Sequence, residues 1–313
     1  MHAQKYRTIS IINLLVDVHH IHNFIYLSTT KTNIALKKLL LKIILFYVGM
    51  MSCFLASAQS IRSSIGMPYL NLSAYSTKQT DPFSFTGNQA ALAKTAIGGV
   101  GVYAERRFLL AENSVYGLAA AVPTKLGNFG VQVNYAGFQN FNEQKAGLAY
   151  GRSLGDKVDI GVQFNYYGYK IPAYQNGTAI NFEGGAIFHL SDNLNAGVHI
   201  YNPVGGTIDK ANDEKLASVY KFGLGYDASE NFYVSSEIVK EENQPVNVTG
   251  GFQYRFKKQF FARGGFRSDN STGYGGVGFL YNKFRIDVAA NYHPQLGISP
   301  AILLICNFKE VSK

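Results

Sequence analysis

The sequence of 313 residues contains no tryptophan, two cysteines and little charge. Cys53 and Cys306 are too few for a disulfide framework or a multi-cysteine metal site, so we expect neither. Charged residues make up 16% of the chain, whereas ordinary soluble domains contain about 25%. The mean hydropathy of -0.03 argues against a bundle of membrane-spanning helices, which would be apolar throughout.

Glycine and aromatic residues are abundant, with 32 Gly, 22 Phe and 21 Tyr, and this composition favours strands and tight turns. The formal net charge of +9 would suit a nucleic-acid-binding protein, but it is unevenly distributed. Six basic residues and one acid precede Gln59, which leaves 23 basic and 19 acidic residues, a charge of +4, in the rest of the chain. That balance is too weak for a basic nucleic-acid surface, so we expect no nucleic-acid partner.

The residues before Gln59 have the order of an export signal. A stretch with three lysines over residues 37–42 precedes an apolar run over residues 43–55, and small residues follow up to Ala58. A positive region, an apolar region and an A-x-A site in this order predict a secretory signal peptide, cleaved between Ala58 and Gln59.

Two alternatives to a signal peptide over residues 37–58 stay open. An N-terminal membrane anchor is one, although the apolar run is short for a spanning helix. A lipoprotein modified at Cys53 is the other, although the preceding Met-Met-Ser fits a lipobox poorly. Residues 1–36 are predicted to be a non-native extension that results from a mistaken translation start.

From Ile97 onward, apolar residues alternate with polar or small ones, most clearly over residues 158–167, 246–257 and 284–293. Each such segment has one apolar and one polar face, as a strand does. Division at turn residues predicts fourteen strands, over roughly residues 97–107, 114–122, 127–137, 143–152, 157–169, 178–190, 193–202, 216–227, 230–240, 245–257, 259–268, 272–281, 283–293 and 297–308. The fold class is therefore all-β: a fourteen-stranded antiparallel up-and-down barrel over residues 97–308, with a C-terminal tail over residues 309–313.

Alternation alone does not distinguish a barrel in water from one in a membrane, but three observations favour the membrane. The chain has too little Lys and Glu for a soluble barrel surface, and the polar faces consist of Gly, Asn, Gln, Ser and Tyr, as in a lumen. Aromatic residues cluster near strand ends, as in the girdles of transmembrane barrels: Tyr166, Tyr167, Tyr169, Phe256, Phe260, Phe261, Tyr281 and Tyr292. We predict a transmembrane barrel in the outer membrane of a Gram-negative bacterium, with outer-membrane lipids around it. The alternative is a soluble secreted β protein.

Residues 59–96 lack the strand alternation. They contain an Asx-rich turn over residues 81–88 and a short Ala-rich stretch over residues 89–93. One interpretation is a periplasmic tail with one helical turn. The other is a hatch-like segment folded into the barrel, which a fourteen-stranded barrel needs because its lumen is too wide for wall side chains to fill. We predict the hatch.

In its signal peptide, its strand number and two short motifs, the chain resembles the FadL-type outer-membrane barrel family. Within that family it resembles the PorV/PorQ-like branch of Bacteroidetes. Asn88, Gln89 and Ala90 stand where the family has its Asn-Pro-Ala hatch motif, with Gln89 in place of the proline, and Gly99-Val100-Gly101-Val102-Tyr103 opens the first strand. The resemblance implies passage of hydrophobic small molecules across the outer membrane. The alternatives it implies are a type IX secretion-associated barrel that docks secreted proteins or secretion machinery, and a structural surface barrel.

Strand parity predicts which ionisable side chains face the lumen, because charges toward lipid cost several kcal/mol. These are Glu105, Asp159, Glu183, Glu237, Arg255, Arg263, Arg285 and Asp287. One hypothesis is a ladder of salt bridges that ties the wall to the hatch, and another is a ring that selects ions. His189, His199 and His293 share this face but lie on separated strands, so we expect no metal site.

Parity also predicts an apolar set inside the barrel, formed by Tyr103, Tyr167, Tyr201, Leu303 and Ile305. The last predicted strand is apolar on both faces, so its inward side chains must meet either an apolar hatch or an apolar ligand. We predict a pocket for a hydrophobic small molecule between hatch and wall.

No pattern in the sequence indicates a catalytic or cofactor-binding site. Residues 273–278 satisfy G-x-G-x-x-G, but the chain continues as a strand instead of a helix, so we expect no dinucleotide cofactor and predict that these glycines let the hatch approach the wall. No serine, histidine and carboxylate stand in a recognisable catalytic arrangement. We therefore expect no enzyme, no catalytic residue, no cofactor and no metal.

Overall fold

The alternating segments form strands because each one can bury a polar and glycine-rich face while it presents an apolar face outward. The computed structural model describes residues 71–171, 176–205, 207–209, 214–269 and 271–309. The predicted extension, signal peptide, cleavage site and first part of the hatch segment lie outside the described residues, as do the last four residues of the predicted tail.

The strands, in chain order, are β1 (Gly99–Arg106), β2 (Ser114–Val122), β3 (Asn128–Gly137), β4 (Asn142–Leu154), β5 (Val158–Lys170), β6 (Gly177–His189), β7 (Leu194–Tyr201), β8 (Thr207–Asp209), β9 (Glu214–Lys215), β10 (Val219–Asp227), β11 (Phe232–Glu241), β12 (Asn247–Phe256), β13 (Phe260–Arg267), β14 (Thr272–Tyr281), β15 (Phe284–His293) and β16 (Gly297–Asn307). Strands β8 and β9 pair only with each other, in the connection between β7 and β10. The remaining fourteen form one closed barrel.

Closure follows from the pairing of the first strand with the last. Gly99 lies opposite Asn307 and Glu105 opposite Ala301, in antiparallel register. Every other barrel strand pairs with its neighbour in the chain, and β7 pairs with β10 across the short hairpin. The prediction of a fourteen-stranded antiparallel barrel is confirmed, and each predicted strand boundary lies within three residues of the observed one.

The outer surface of the barrel is apolar. Outward side chains such as Leu148, Phe164 and Val277 are 60%, 65% and 63% exposed, whereas Glu183 on the inner face is 2% exposed. Such an inverted distribution suits a barrel whose outer face meets lipid. Near one end, outward aromatic rings form a continuous contact series along Tyr254, Phe256, Phe260, Phe279 and Tyr281.

Three residues assigned to the aromatic girdle by sequence lie inside the barrel instead. Tyr167, Tyr169 and Phe261 are buried, while Tyr166 and Phe260 beside them face outward. Adjacent residues of a strand point to opposite faces, so of each adjacent aromatic pair one ring must be internal.

The connections differ in length at the two ends of the barrel. At the end that holds Gly99 and Asn307, the β4–β5 and β14–β15 connections span residues 155–157 and 282–283. We call this the turn end. At the opposite end, the loop end, the β1–β2 connection spans residues 107–113 and the β7–β10 connection contains the β8–β9 hairpin. Among the described residues, no helix is long and apolar enough to cross a membrane.

The described part of the hatch, residues 71–96, folds inside the barrel. It forms short 3-10 helices at Ser73–Tyr75, Ser84–Thr86 and Gln89–Lys94. Its large apolar side chains are buried: Leu72, Tyr75, Phe83, Phe85 and Leu92. We refer to residues 71–96, which lie in the lumen, as the hatch.

Candidate functional site: the hatch and the vestibule above it

Wall glycines make room for the hatch at its first 3-10 helix. The ring of Tyr75 lies against Gly197 on β7 and Gly223 on β10, and its backbone and Cβ lie against Gly225 on β10. A Cβ at any of these three positions would overlap Tyr75. At the end of this ring, Tyr75 Oη donates a hydrogen bond of 2.7 Å to Glu237 Oε2. The close fit of Tyr75 against the wall glycines and its hydrogen bond to a carboxylate thus fix one point of the hatch.

The predicted hatch motif forms a second point of attachment. Asn88 is fully buried, and its Oδ1 accepts from the N–H of Ala90 at 3.1 Å, so it caps the Gln89–Lys94 helix. Its Nδ2 donates to the carbonyl oxygen of Val198 at 3.0 Å. Gln89 and Ala90 are also fully buried, against the wall at Gly161.

The glycines of residues 273–278 do not have the role predicted for them. A Cβ at Gly276 or Gly278 would first meet β15, at Ala289 and Asp287, and a Cβ at Gly273 would meet nothing within 4 Å. The wall glycines that lie against the hatch are instead on β1, on β3 to β7 and on β10. Sequence parity gives the face of each glycine, but it does not give the path of a segment without strand alternation.

A cluster of four charges connects the hatch to β13 and β15. Asp81 Oδ2 of the hatch lies 3.2 Å from Arg285 Nη1, and Arg285 Nη2 lies 2.8 Å from Asp287 Oδ2. Arg263 Nη1 lies 2.7 Å from the same Asp287 oxygen. Two acids and two bases neutralise one another here. This arrangement is the one described by the hypothesis of a salt-bridge ladder between wall and hatch.

Further polar contacts hold the hatch at the turn end. Asp227 accepts from the Ser76 hydroxyl at 2.5 Å and from the Thr77 N–H at 3.0 Å. Lys78 Nζ lies 2.9 Å from a carboxylate oxygen of Glu230, and its hydrogen bond to Glu230 raises the pKa of Lys78. These contacts are all noncovalent, so the hatch can leave without bond cleavage.

Asp159 and Arg255, two of the predicted lumen charges, also lie near the turn end. Asp159 is fully buried 2.7 Å from His189 Nε2 and 3.7 Å from Lys94 Nζ of the hatch. Arg255 stands at the end of β12 and donates to the carbonyl oxygen of Glu230 at 3.0 Å. It is not opposite Arg263, because Gln253 occupies that register position.

Above the hatch, the barrel contains a cavity of about 730 Å³, which we call the vestibule. Leu72 and Thr86 of the hatch line its inner end, and Phe108 and Leu296 of the loops line its mouth. Side chains from strands around the barrel line its wall, including three predicted lumen acids: Glu105, Glu183 and Glu237.

Glu183 is the centre of a buried polar cluster beside the vestibule. Its Oε1 accepts from Lys145 Nζ at 2.9 Å, from Gln163 at 2.7 Å and from Asn165 at 2.9 Å. Its Oε2 lies 2.9 Å from His199 Nε2. All four partners belong to the wall, so this cluster fixes the wall and not the hatch.

Glu105 forms a smaller wall cluster. It accepts hydrogen bonds of 2.8 Å from the Tyr103 hydroxyl and 2.8 Å from Asn291 Nδ2. Among the residues that the structure describes, no group of three His, Cys, Asp or Glu side chains could hold a metal ion.

The five residues predicted to form one apolar pocket belong to two separate clusters. Tyr103, Leu303 and Ile305 belong to a cluster that includes the hatch residues Leu72, Phe83, Phe85 and Leu92. Tyr167 and Tyr201 pack elsewhere, with Tyr169, Ala179 and Leu216. The final strand, β16, is apolar on both faces, and its inward side chains therefore have the hatch as their apolar partner. The predicted single pocket is wrong. Strand parity gives the face on which a residue lies, but it does not give its position along the barrel axis or the residues that cover it.

The structure adds four residues that sequence reasoning missed: Tyr75, Lys145, Lys221 and Asp227. Lys145, Lys221 and Asp227 each stand two residues from an inward-facing glycine on the same strand: Gly147, Gly223 and Gly225. Strand parity could therefore have identified them. Tyr75 lies in a segment without alternation, where parity predicts nothing.

A closed fourteen-stranded barrel with an apolar outer face and a segment folded inside it defines the class of protein: a transmembrane β-barrel of the outer-membrane type. No protein-family model and no curated protein matches the sequence.

Solved structures do resemble the barrel. The toluene transporter TodX of P. putida has a TM-score of 0.53 and 11% identity, over 74% of this chain and 95% of that chain. A TodX deletion mutant, described as a monoaromatic hydrocarbon channel, has a TM-score of 0.55 at 9% identity over the same shares. A FadL homologue of Pseudomonas aeruginosa has a TM-score of 0.50 at 9% identity, over 73% of this chain and 94% of that chain. At such identities the similarity shows the fold, which is the one that the FadL-type resemblance implies.

Proposed function

We propose that the protein is a hatch-gated channel for hydrophobic small molecules in the outer membrane of a Gram-negative bacterium. The observation that carries this proposal is the position of the hatch, which lies across the lumen directly below an open vestibule. A barrel with a noncovalently held internal segment can alternate between a filled and an open lumen.

The lengths of the connections support an orientation. Outer-membrane barrels have short periplasmic turns and longer extracellular loops. The turn end then faces the periplasm, and the vestibule opens to the outside. A molecule would enter at Phe108 and Leu296, pass Leu72 of the hatch, and reach the periplasm after the hatch moves.

Passage requires loss of the contacts between hatch and wall. These contacts include polar ones at Tyr75, Ser76, Asp81 and Asn88, and an apolar cluster that Phe83 and Phe85 form with the wall. When the hatch leaves, Leu303 and Ile305 become accessible, which provides an apolar surface for a hydrophobic molecule. The similarity to a toluene transporter agrees with this substrate class.

The proposal is tested by holding the hatch in place. Ser76→Cys and Asp227→Cys, in a background with Cys53→Ser and Cys306→Ser, place two thiols where hatch and wall form a hydrogen bond. A short bifunctional methanethiosulfonate then bridges them. The readout is the rate at which the fluorophore N-phenyl-1-naphthylamine enters Gram-negative cells that produce the protein.

Bridging should lower that rate to the level of cells without the protein, and reduction should restore it. A control pair, Leu224→Cys and Ser236→Cys, joins neighbouring wall strands and should leave entry unchanged. Entry that is unaffected by the hatch bridge, or equal with and without the protein, would contradict the proposal. The docking role of a PorV/PorQ-like secretion barrel would then replace it.

A further inference from the structure

We propose that the vestibule selects uncharged hydrophobic molecules that carry a hydrogen-bonding group, and that it excludes carboxylates such as fatty-acid anions. This inference rests on the proposed function and names the substrate class of the same channel. The observation behind it is that each Lys and Arg among the described vestibule-lining residues has an acidic partner that also lines the vestibule.

Four ion pairs account for all of these basic side chains: Lys145 with Glu183 at 2.9 Å, Lys221 with Glu237 at 3.5 Å, Arg267 with Asp269 at 2.5 Å, and Arg107 with Glu105 at 3.6 Å. A carboxylate head group needs a cation or several directed donors to replace its hydration shell. To reach a cation in this cavity, it would have to displace an acid that is already in place.

The most buried pair is the hardest to displace. Lys145 and Glu183 are 7% and 2% exposed, and Glu183 also holds hydrogen bonds from Gln163, Asn165 and His199. Separation of such a pair leaves an uncompensated buried charge, which is strongly unfavourable. Lys145 is therefore unavailable to a ligand, although it is a basic residue in the wall.

Acids outnumber Lys and Arg in the described lining of the vestibule. The acids are Glu105, Glu183, Glu237, Glu241 and Asp269, and there are four Lys or Arg residues. His293 at the mouth accepts the N–H groups of Gln295 and Leu296 at Nδ1.

Neutral groups provide the rest of the polar lining. Amides and hydroxyls that line the vestibule include Gln132, Asn134, Thr249, Thr272, Asn291 and Ser299. Amides and hydroxyls offer both donors and acceptors, which suits a hydroxyl or carbonyl group on the ligand. With Phe108, Val219, Val239 and Leu296 as apolar lining, the vestibule fits an uncharged amphiphile such as an alkyl alcohol.

The test compares octan-1-ol with octanoate, which share a chain and differ in head-group charge. The full chain in nanodiscs of zwitterionic phosphatidylcholine binds N-phenyl-1-naphthylamine, and each compound displaces it at low ionic strength, with empty nanodiscs subtracted. Octan-1-ol should reach half-displacement at a concentration at least about tenfold lower than octanoate does. Equal or stronger displacement by octanoate would overturn the inference.

Two variants each free one cation. Asp269→Asn releases Arg267 at the rim, and Glu105→Gln releases Arg107 at the loop end of β1. Either should strengthen displacement by octanoate about fivefold or more and leave octan-1-ol unchanged, in protein that still shows heat-modifiable migration on a gel. Asp156→Asn, in the β4–β5 turn at the other end, is the matched control and should change neither.

The experiment distinguishes a failure of the charge-pairing inference from a failure of the proposed function. If neither folded variant gains affinity for octanoate, the charge-pairing inference is wrong while the hydrophobic channel stands. If the wild-type protein binds no fluorophore at all, the proposed function falls and this inference falls with it.

Discussion

The hydroxyl of Tyr75 donates a hydrogen bond of 2.7 Å to the carboxylate of Glu237, and this single contact joins the hatch to a residue that lines the vestibule. Glu237 also lies 3.5 Å from Lys221. A molecule in the vestibule therefore lies close to one of the groups that hold the hatch, which gives the cavity a direct connection to the position of the hatch.

Tyr75→Phe should loosen the hatch without emptying the space that its ring fills. A hydrogen bond to a charged group contributes about 1.5–3 kcal/mol, so we expect a loss of that order in hatch attachment and at least a several-fold increase in channel opening events. Planar-bilayer recordings measure the opening frequency. Tyr103→Phe is the control, because it removes a hydroxyl from Glu105 within the wall; equal opening in both variants would count against the role of Tyr75.

Gly223→Ala should prevent the ring of Tyr75 from seating, since the new Cβ would overlap it. We expect faster proteolysis of the hatch by trypsin added at the turn end of the purified protein. Gly273→Ala is the matched change on β14, where a Cβ meets no atom within 4 Å, and it should leave proteolysis unchanged. Identical digestion of both variants would show that the glycine contact does not position the hatch.

Leu303→Ala should destabilise the barrel, because Leu303 is buried in the cluster that includes Phe83 and Phe85 of the hatch. Truncation of a buried leucine costs about 2–5 kcal/mol. Urea unfolding in detergent, followed by tyrosine fluorescence, measures the change. Leu126→Ala, in an exposed turn position, should cost less than about 0.5 kcal/mol. A Leu303→Ala midpoint equal to that of wild type would mean that the hatch does not pack on the final strand.

The signal peptide is tested by intact-mass measurement of protein isolated from the outer membrane. We expect the mature chain to begin at Gln59, since Ala56-Ser57-Ala58 fits the small-residue cleavage site. A mass that corresponds to a chain starting at lipidated Cys53 would instead identify a lipoprotein.

The strands were predictable from sequence because their alternation is local: Val158, Ile160 and Val162 face outward whatever the rest of the chain does. The same parity placed Glu183, Glu237 and Arg285 inside. It could not show that Lys145 pairs with Glu183, because that contact joins β4 to β6 across β5 and depends on the curvature of the barrel.

The hatch was predictable as a segment but not in its path. Its backbone lacks a repeat, and its position depends on long-range contacts such as those of Tyr75 with Gly223 and of Asp81 with Arg285. The apolar pocket was misplaced for the same reason. Leu303 and Ile305 have the predicted inward direction, but they belong to an apolar cluster that includes the hatch residues Phe83 and Phe85.

The most direct test of the account is the single-channel conductance of a variant that lacks residues 81–96, recorded in planar bilayers beside the wild-type protein. This deletion removes Phe83, Phe85, Asn88 and Leu92 from the lumen and leaves every barrel strand intact. If the hatch fills the lumen, the conductance of the deletion variant should rise clearly above that of the wild type, while the variant still shows heat-modifiable migration on a gel. Conductance equal to that of the wild type would contradict the claim that the hatch closes the channel.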